Sequence, residues 1–77
     1  MIKIENIVLE DGKVSMVVYI EGNRENFFTM VLDAKTGDIV DISRDDTVVF
    51  PAHAKQYIMK LLRQVEELPE SATVMWV

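Results

Sequence analysis

Cysteine is absent from this 77-residue chain, and glycine and proline are scarce. The lack of cysteine excludes disulfide bonds and thiolate metal sites. His53 is the single histidine, so a zinc site would have to be completed by carboxylates, which is unusual. We therefore expect neither a metal nor a cofactor. A chain of this length buries only about 60% of the surface that its unfolded form exposes. The sequence predicts one small domain over residues 1–77, with a marginal core.

Long hydrophobic runs and clusters of basic residues are missing as well. Apolar runs such as Met16 to Ile20 are far shorter than the roughly 20 residues that span a bilayer. The eight Lys and Arg residues are scattered and the net charge is −5, which argues against nucleic acid as a direct ligand. The first residues lack the basic start and apolar stretch of a signal peptide. We therefore expect a cytoplasmic protein that binds neither membrane nor nucleic acid.

Alternating apolar residues between glycine-containing turns predict four consecutive antiparallel strands. The predicted strands are Ile2–Leu9, Lys13–Glu21, Asn26–Ala34 and Asp38–Ser43. Pro51 suits a first helical turn, and apolar residues then recur at helical spacing from Ala54 to Leu68. Pro69 ends this helix, and Ala72–Val77 alternates like a strand. The predicted fold class is α+β: an antiparallel β-meander of four strands, one amphipathic helix on one face, and a C-terminal fifth strand.

The first hairpin has two plausible registers. A two-residue loop of Asp11 and Gly12 would put Ile7 and Leu9 on the face of Val14, with Ile2 and Ile4 on the other face. A three-residue loop with a bulge would pair Leu9 with Lys13 instead. It would place Ile2, Ile4 and Val8 on the face of the even-numbered residues of the second strand. We favour the second register because those even-numbered residues are all apolar.

The other pairings are less constrained by the pattern. A two-residue loop of Gly22 and Asn23 would turn Phe27 inward, whereas a longer loop or a bulge keeps Phe28 inside. The pairs predicted for the third hairpin are Leu32–Val40 and Met30–Ile42. The fifth strand fits antiparallel beside the first strand, or parallel beside the fourth through a right-handed crossover.

The sheet face away from the helix is also rich in apolar residues. Those assigned to it are Ile7, Leu9, Val17, Tyr19, Phe27, Val31 and Ile39. A helix of about 16 residues is about 24 Å long and covers one face of such a sheet, not both. Seven exposed apolar side chains would exceed the few hundred Å² that soluble monomers usually expose. We therefore predict an interface with a second copy or another protein. The alternatives are cover by the chain itself and a tolerated exposed patch.

No residue set amounts to a catalytic or metal-binding motif. His53 lies off the apolar stripe of the helix, without an assigned orienting carboxylate. The acidic residues Asp41, Asp45 and Asp46 lack the spacing of a calcium loop. The serines lack the flanking glycines of a hydrolase nucleophile elbow. We assign no catalytic, cofactor-binding or metal-binding residue.

One segment resembles a known family. The strand pair joined by the turn Asp33-Ala34-Lys35-Thr36-Gly37 resembles that of PepSY-type domains, in which a strand leads into an Asp-Ala-x-Thr-Gly turn and another strand. The residues that carry the resemblance are Tyr19–Gly22 and Phe27–Ile39. The likeness covers about a third of the chain. PepSY domains carry a helix before these strands, whereas the predicted elements here begin with a strand. The resemblance implies a small regulatory or inhibitory binding module and carries over no active-site residue.

The function predicted from the sequence is therefore that of a non-enzymatic protein-interaction or self-associating module. The alternative is a small-ligand-binding or enzymatic domain, with a cleft between the helix and the 44–50 loop. A dimer in solution would favour the first hypothesis. Chemical-shift changes at His53, Asp45 and Asp46 with a metabolite would favour the second.

Overall fold

A computed structural model of the chain describes residues 1–44, 49–64 and 67–75. Five strands form one antiparallel sheet in the order β4-β3-β2-β1-β5, and one helix packs on it. The elements are β1 (Ile2–Glu10), β2 (Lys13–Ile20), β3 (Phe27–Asp33), β4 (Ile39–Ile42), α1 (Val49–Gln64) and β5 (Ala72–Val74). The predicted α+β meander is confirmed. Residues 76 and 77 of the predicted fifth strand lie outside the described residues.

The fifth strand lies antiparallel beside the first. Ile2 pairs with Val74 and Ile4 pairs with Ala72. One of the two placements left open by the sequence is therefore confirmed, and the parallel placement beside β4 is wrong. The connection through α1 returns the chain across the sheet from one edge, β4, to the other edge, β5.

The core lies between α1 and the sheet face formed by the even-numbered residues of β2 and β3. Its largest fully buried side chains are Ile2, Ile4, Val14, Val18, Phe28, Met30, Leu32 and Ile58. The helical stripe supplies Ala54 and Ile58, both fully buried, and half-buried side chains pack around them. The helix begins at Val49, so Pro51 lies inside its first turn, where the missing N–H has no helical partner to lose.

The first hairpin closes with a two-residue loop. Leu9 pairs with Val14 and Glu10 with Lys13, which leaves only Asp11 and Gly12 between the strands. Both loop residues have positive φ, 53° and 75°, as the turn preferred by two-residue hairpins requires. The three-residue loop favoured above is therefore wrong. Asp followed by Gly is the sequence that this turn selects, because both residues tolerate positive φ.

A bulge in the middle of β1 reconciles this short loop with a buried N-terminal strand. Glu5 pairs with Val17 and Val8 pairs with Ser15, so two residues of β1 oppose one residue of β2. Asn6 supplies the bend with a left-handed backbone, φ 54°. Beyond it Ile2 and Ile4 regain the core side of the sheet.

The two-residue loop overturns the assignment of Ile7 to the uncovered face. Because Leu9 pairs with the core residue Val14, alternation places Ile7 on the same side, in the core, where it keeps only 7% of its surface exposed. Its N–H donates to the carbonyl oxygen of Glu70 at 3.1 Å, which ties β1 to the segment before β5. Val8 pairs with Ser15 on the outer side of the sheet and is 47% exposed, so its predicted place in the core is wrong.

The second and third hairpins have longer connections than the two-residue loop of the first. Residues 21–26 form a longer connection between β2 and β3, and Phe28 stays in the core, as one of the two alternatives predicts. Met30 pairs with Ile42, as predicted. The predicted pair of Leu32 with Val40 is wrong. Leu32 pairs with Ile39, because β4 accommodates Val40 as an extra residue at an irregularity in the ladder.

Candidate functional site

The side of the sheet away from α1 is here called the outer face. Its apolar members are Val8, Val17, Tyr19, Phe27 and Val31, which alternate with the buried positions of β1, β2 and β3. The polar members on the same side are Lys3, Glu5, Glu10, Lys13, Ser15, Thr29, Asp33, Asp41 and Thr73. No described element packs over this face, since α1 lies on the opposite side.

Four of the seven residues predicted for this face lie on it: Val17, Tyr19, Phe27 and Val31. Ile7 is buried in the core, as described above. Leu9 and Ile39 are exposed, by 53% and 42%, but each pairs with a core residue, Val14 or Leu32. Directly paired residues point to the same side of a sheet, so these two lie at the borders of the core rather than on the outer face. The pattern missed Val8 because it did not locate the bulge.

The residues of the outer face form rows across the sheet. Val8, Ser15 and Val31 make one row, and Lys3, Tyr19 and Phe27 make another, because cross-strand partners stand side by side. Charged and hydroxyl side chains therefore interrupt the apolar ones. The face is amphipathic, and less apolar than the seven predicted residues would have made it.

An aromatic pair marks one end of the outer face. The rings of Tyr19 and Phe27 lie 5.8 Å apart between centroids, at an interplanar angle of 44°. The guanidinium of Arg24, in the β2–β3 connection, lies 4.4 Å from the centre of the Tyr19 ring. This distance is within the range of cation–π contacts. Arg24 thus covers part of the Tyr19 ring, whereas Phe27 remains 47% exposed.

An ion-pair cluster fixes Arg24 over that ring. Its Nη1 donates to Oε2 of Glu5 at 2.5 Å, and Nζ of Lys3 lies 3.6 Å from the same oxygen. The hydrogen bond from Arg24, more than the nearby charges, holds the pKa of the Glu5 carboxyl below its usual value, against a smaller opposing effect of desolvation. Glu5 therefore stays ionised around neutral pH and holds the two cations at this end of the face.

The other residues considered for chemistry do not form a site. His53 is half-buried on α1, and Asp45 and Asp46 lie outside the described residues. Asp41 lies on the outer face opposite Val31. Ser43 accepts a hydrogen bond from the N–H of Thr29 through its Oγ at 2.8 Å, which is a structural role. Within residues 1–44, 49–64 and 67–75, no three imidazole or carboxylate groups come close enough to hold a metal ion.

The turn that resembles PepSY-type domains is held by the first of its residues. Oδ1 of Asp33 accepts hydrogen bonds from the backbone N–H of Lys35 at 2.8 Å and of Thr36 at 3.1 Å. The N–H of Gly37 donates to the carbonyl oxygen of Asp33 at 2.8 Å. These bonds explain the turn by its local chemistry alone.

Comparison of the chain with protein-family models, with curated proteins and with solved structures found no match. The resemblance to PepSY-type domains stays a prediction. In the part of the chain that the structure covers, no helix has both the length and the apolar character needed to cross a bilayer.

Proposed function

We propose that this protein is a non-enzymatic interaction module that pairs with a second copy of itself through the outer face. The observation that carries the proposal is the set of five apolar side chains on a sheet face that no described element covers. Burying them against another surface would add to the core of a domain that is small for its surface.

The dimensions of the molecule set an upper limit on the area of the outer face. The Cα atoms extend over 29 × 21 × 21 Å, so a flat face of the molecule measures at most about 600 Å². Stable interfaces bury roughly 1,200 Å² or more in total, which is about 600 Å² from each partner. A stable dimer would therefore use nearly the full extent of both outer faces.

The charges of the outer face favour a second copy over an unrelated partner. Lys3 lies at one end of β1 and Glu10 lies at the other, both on the outer side. A two-fold axis perpendicular to the strands places each β1 against the other copy's β1 with its direction reversed. Lys3 then faces Glu10 of the second copy, and two such contacts form by symmetry.

The same arrangement determines what faces the aromatic end. The row that contains Tyr19 and Phe27 comes to lie against the row that contains Lys13 and Asp33 of the second copy, so Tyr19, already covered in part by Arg24, meets Lys13, and Phe27 meets Asp33. The valines of the middle rows, Val8, Val17 and Val31, lie nearest the two-fold axis and come over Glu5, Ser15 and Thr29 of the second copy.

Sedimentation equilibrium at micromolar concentrations tests the proposal. The natural sequence is expected to be a dimer, and Val17→Lys is expected to weaken it at least about tenfold, because a lysine in the centre would be desolvated without a partner. Val49→Lys is the matched control. Val49 is 51% exposed on α1, away from the outer face, and its replacement adds the same charge.

Charge reversal tests the orientation. Lys3→Glu and Glu10→Lys each place like charges opposite one another and are expected to weaken the dimer. The double variant restores the pairing and should recover most of the loss. A natural sequence that remains monomeric throughout the concentration range would refute the proposed function, and a dimer indifferent to Val17→Lys would refute the face.

A further inference from the structure

A second feature lies on the helix side of the molecule, away from the outer face. A groove of about 260 Å³ separates α1 from the turn between β3 and β4. Its walls are Thr36 and Gly37 on the turn, and Lys55, Met59, Lys60 and Arg63 on the helix. Lys55, Met59 and Arg63 recur every four residues, so they form one row along the helix, with Lys60 beside it.

Met59 on α1 packs against Gly37 in the β3–β4 turn, so the two walls of the groove are in contact at this point. Gly37 is buried, with φ +79°, and a Cβ placed on it would lie 3.4 Å from Cγ, Sδ and Cε of Met59. The methionine side chain therefore packs directly against the glycine backbone. This contact forms an apolar base, and the longer cationic side chains of α1 extend beside it.

The charge of the groove is opposite to that of the whole molecule. Lys55, Lys60 and Arg63 are three of the eight Lys and Arg residues in a chain of net charge −5. The ion pairs found among the described residues all lie elsewhere, at Glu5 and at Glu21. No described carboxylate therefore neutralises these three cations, and their mutual repulsion would fall if an anion bound between them.

We propose that this groove binds a small phosphate-bearing anion. Arginine presents two parallel N–H donors that match phosphate oxygens, and lysines add charge without a fixed geometry. Oγ1 of Thr36 accepts a hydrogen bond from the N–H of Asp38 at 3.2 Å, which leaves its own O–H to donate to a ligand. The volume is below that of pockets for drug-sized ligands, about 300–1,000 Å³, so one phosphate group with a short substituent fits best.

Free orthophosphate and a phosphomonoester share this chemistry. A ¹H–¹⁵N NMR titration with sodium phosphate, at ionic strength held constant with sodium chloride, measures the first. A parallel titration with glycerol phosphate measures the second. Saturable shifts are expected at the amides of Thr36, Gly37, Met59 and Lys60. Tighter binding of the ester would identify a phosphorylated metabolite as the ligand class, and equal or tighter binding of orthophosphate would identify the free anion.

Charge-removing variants locate the site. The double variant Lys55→Gln/Lys60→Gln is expected to weaken phosphate binding at least about fivefold, because one exposed ion pair contributes up to a factor of about five. Arg63→Gln is a separate variant at an exposed position. Lys35→Gln is the matched control: it removes one positive charge from the same turn without touching the groove, and binding should be unchanged.

Three results of these titrations would contradict a phosphate site in the groove. General screening, rather than a site, would be indicated by chemical shifts that do not saturate or that chloride reproduces. A loss of phosphate affinity in Lys35→Gln as large as in the double variant would indicate the same. Because the groove lies across the molecule from Val17, phosphate binding by a Val17→Lys monomer would separate the two proposals. If one of the two proposals fails its test, the other proposal is unaffected.

Discussion

Asn6 determines which side chains of β1 enter the core. Its left-handed backbone is the bend that restores Ile2 and Ile4 to the side of the helix, on which Ile7 already lies. Asparagine adopts this conformation more readily than other non-glycine residues. Sequence alternation could not find the bulge, because a period of two is compatible with either register. The available signal was Asn6 itself, the one polar residue in an otherwise apolar inner face.

Replacing Asn6 tests that role. Asn6→Val is expected to lower the free energy of unfolding by about 1–2 kcal/mol, since a β-branched residue is strained at positive φ. Asn6→Gly should be nearly neutral. Urea denaturation measures both, with Thr73→Val at a regular exposed position of β5 as the control. A loss for Asn6→Val no larger than for that control would show that the bulge carries no strain.

Asp33 acts at the same scale in the turn between β3 and β4. Hydrogen bonds from the N–H of Thr36, and then of Lys35, lower the pKa of its carboxyl group. A carboxyl group whose pKa is lower in the folded state contributes stability above its unfolded pKa, about 3.9 for Asp. That contribution is lost as the pH falls through the folded value.

The stability of Asp33→Ala should therefore be lower than that of the natural sequence at neutral pH. The difference should shrink as the pH falls below about 4, where the unfolded carboxyl becomes protonated. Urea denaturation at several pH values measures this difference, and ¹³C chemical shifts of the Asp33 carboxyl group report its pKa. A difference that is constant with pH would contradict an ionised Asp33 as the source.

At the scale of elements, the sequence predicted the packed face of the helix but not its end, because α1 ends at Gln64 and Leu68, the last residue of the predicted stripe, lies outside it. The apolar stripe from Ala54 onward marks the side that packs on the sheet, and Ala54 and Ile58 are fully buried as that stripe requires. The strands were found with nearly correct bounds, but their pairing was not fixed. Pairing depends on backbone irregularities at single residues, Asn6 and Val40, which shift a strand without changing its composition.

Ile58 is the central contact of the helix with the sheet. Ile58→Ala is expected to cost about 2–5 kcal/mol, because it leaves a cavity against the fully buried side chains of the sheet. Gln56→Ala, at an exposed position of the same helix, should change the free energy of unfolding by less than about 0.5 kcal/mol. Thermal and urea denaturation measure both variants. A cost below about 1 kcal/mol for Ile58→Ala would mean that the helix is loosely packed.

At the scale of the whole molecule, the two faces of the sheet differ in how they are covered. One face is buried under α1, and the other is free for the proposed pairing of two copies. The sequence indicated this division from the count of apolar residues, but the outer face holds four of the seven residues named and gains Val8. The basic groove was not foreseen, because Lys55, Lys60 and Arg63 lie off the apolar stripe. Their opposition to Thr36 and Gly37 exists only in the folded chain.

The pairing of β1 with β5 has a consequence for the order of events during synthesis. Residues 2–4 and 72–74 are neighbours in the sheet although they are separated by most of the chain. The hairpins β1–β2, β2–β3 and β3–β4 rely on local contacts, which form quickly, whereas this contact closes a long loop. While the polypeptide emerges from the ribosome, the edge of β1 that later pairs with β5 must stay unpaired until residue 74 has left the exit tunnel. A nascent chain arrested before that point is therefore expected to present an open strand edge, the kind of surface at which incomplete proteins aggregate or recruit chaperones.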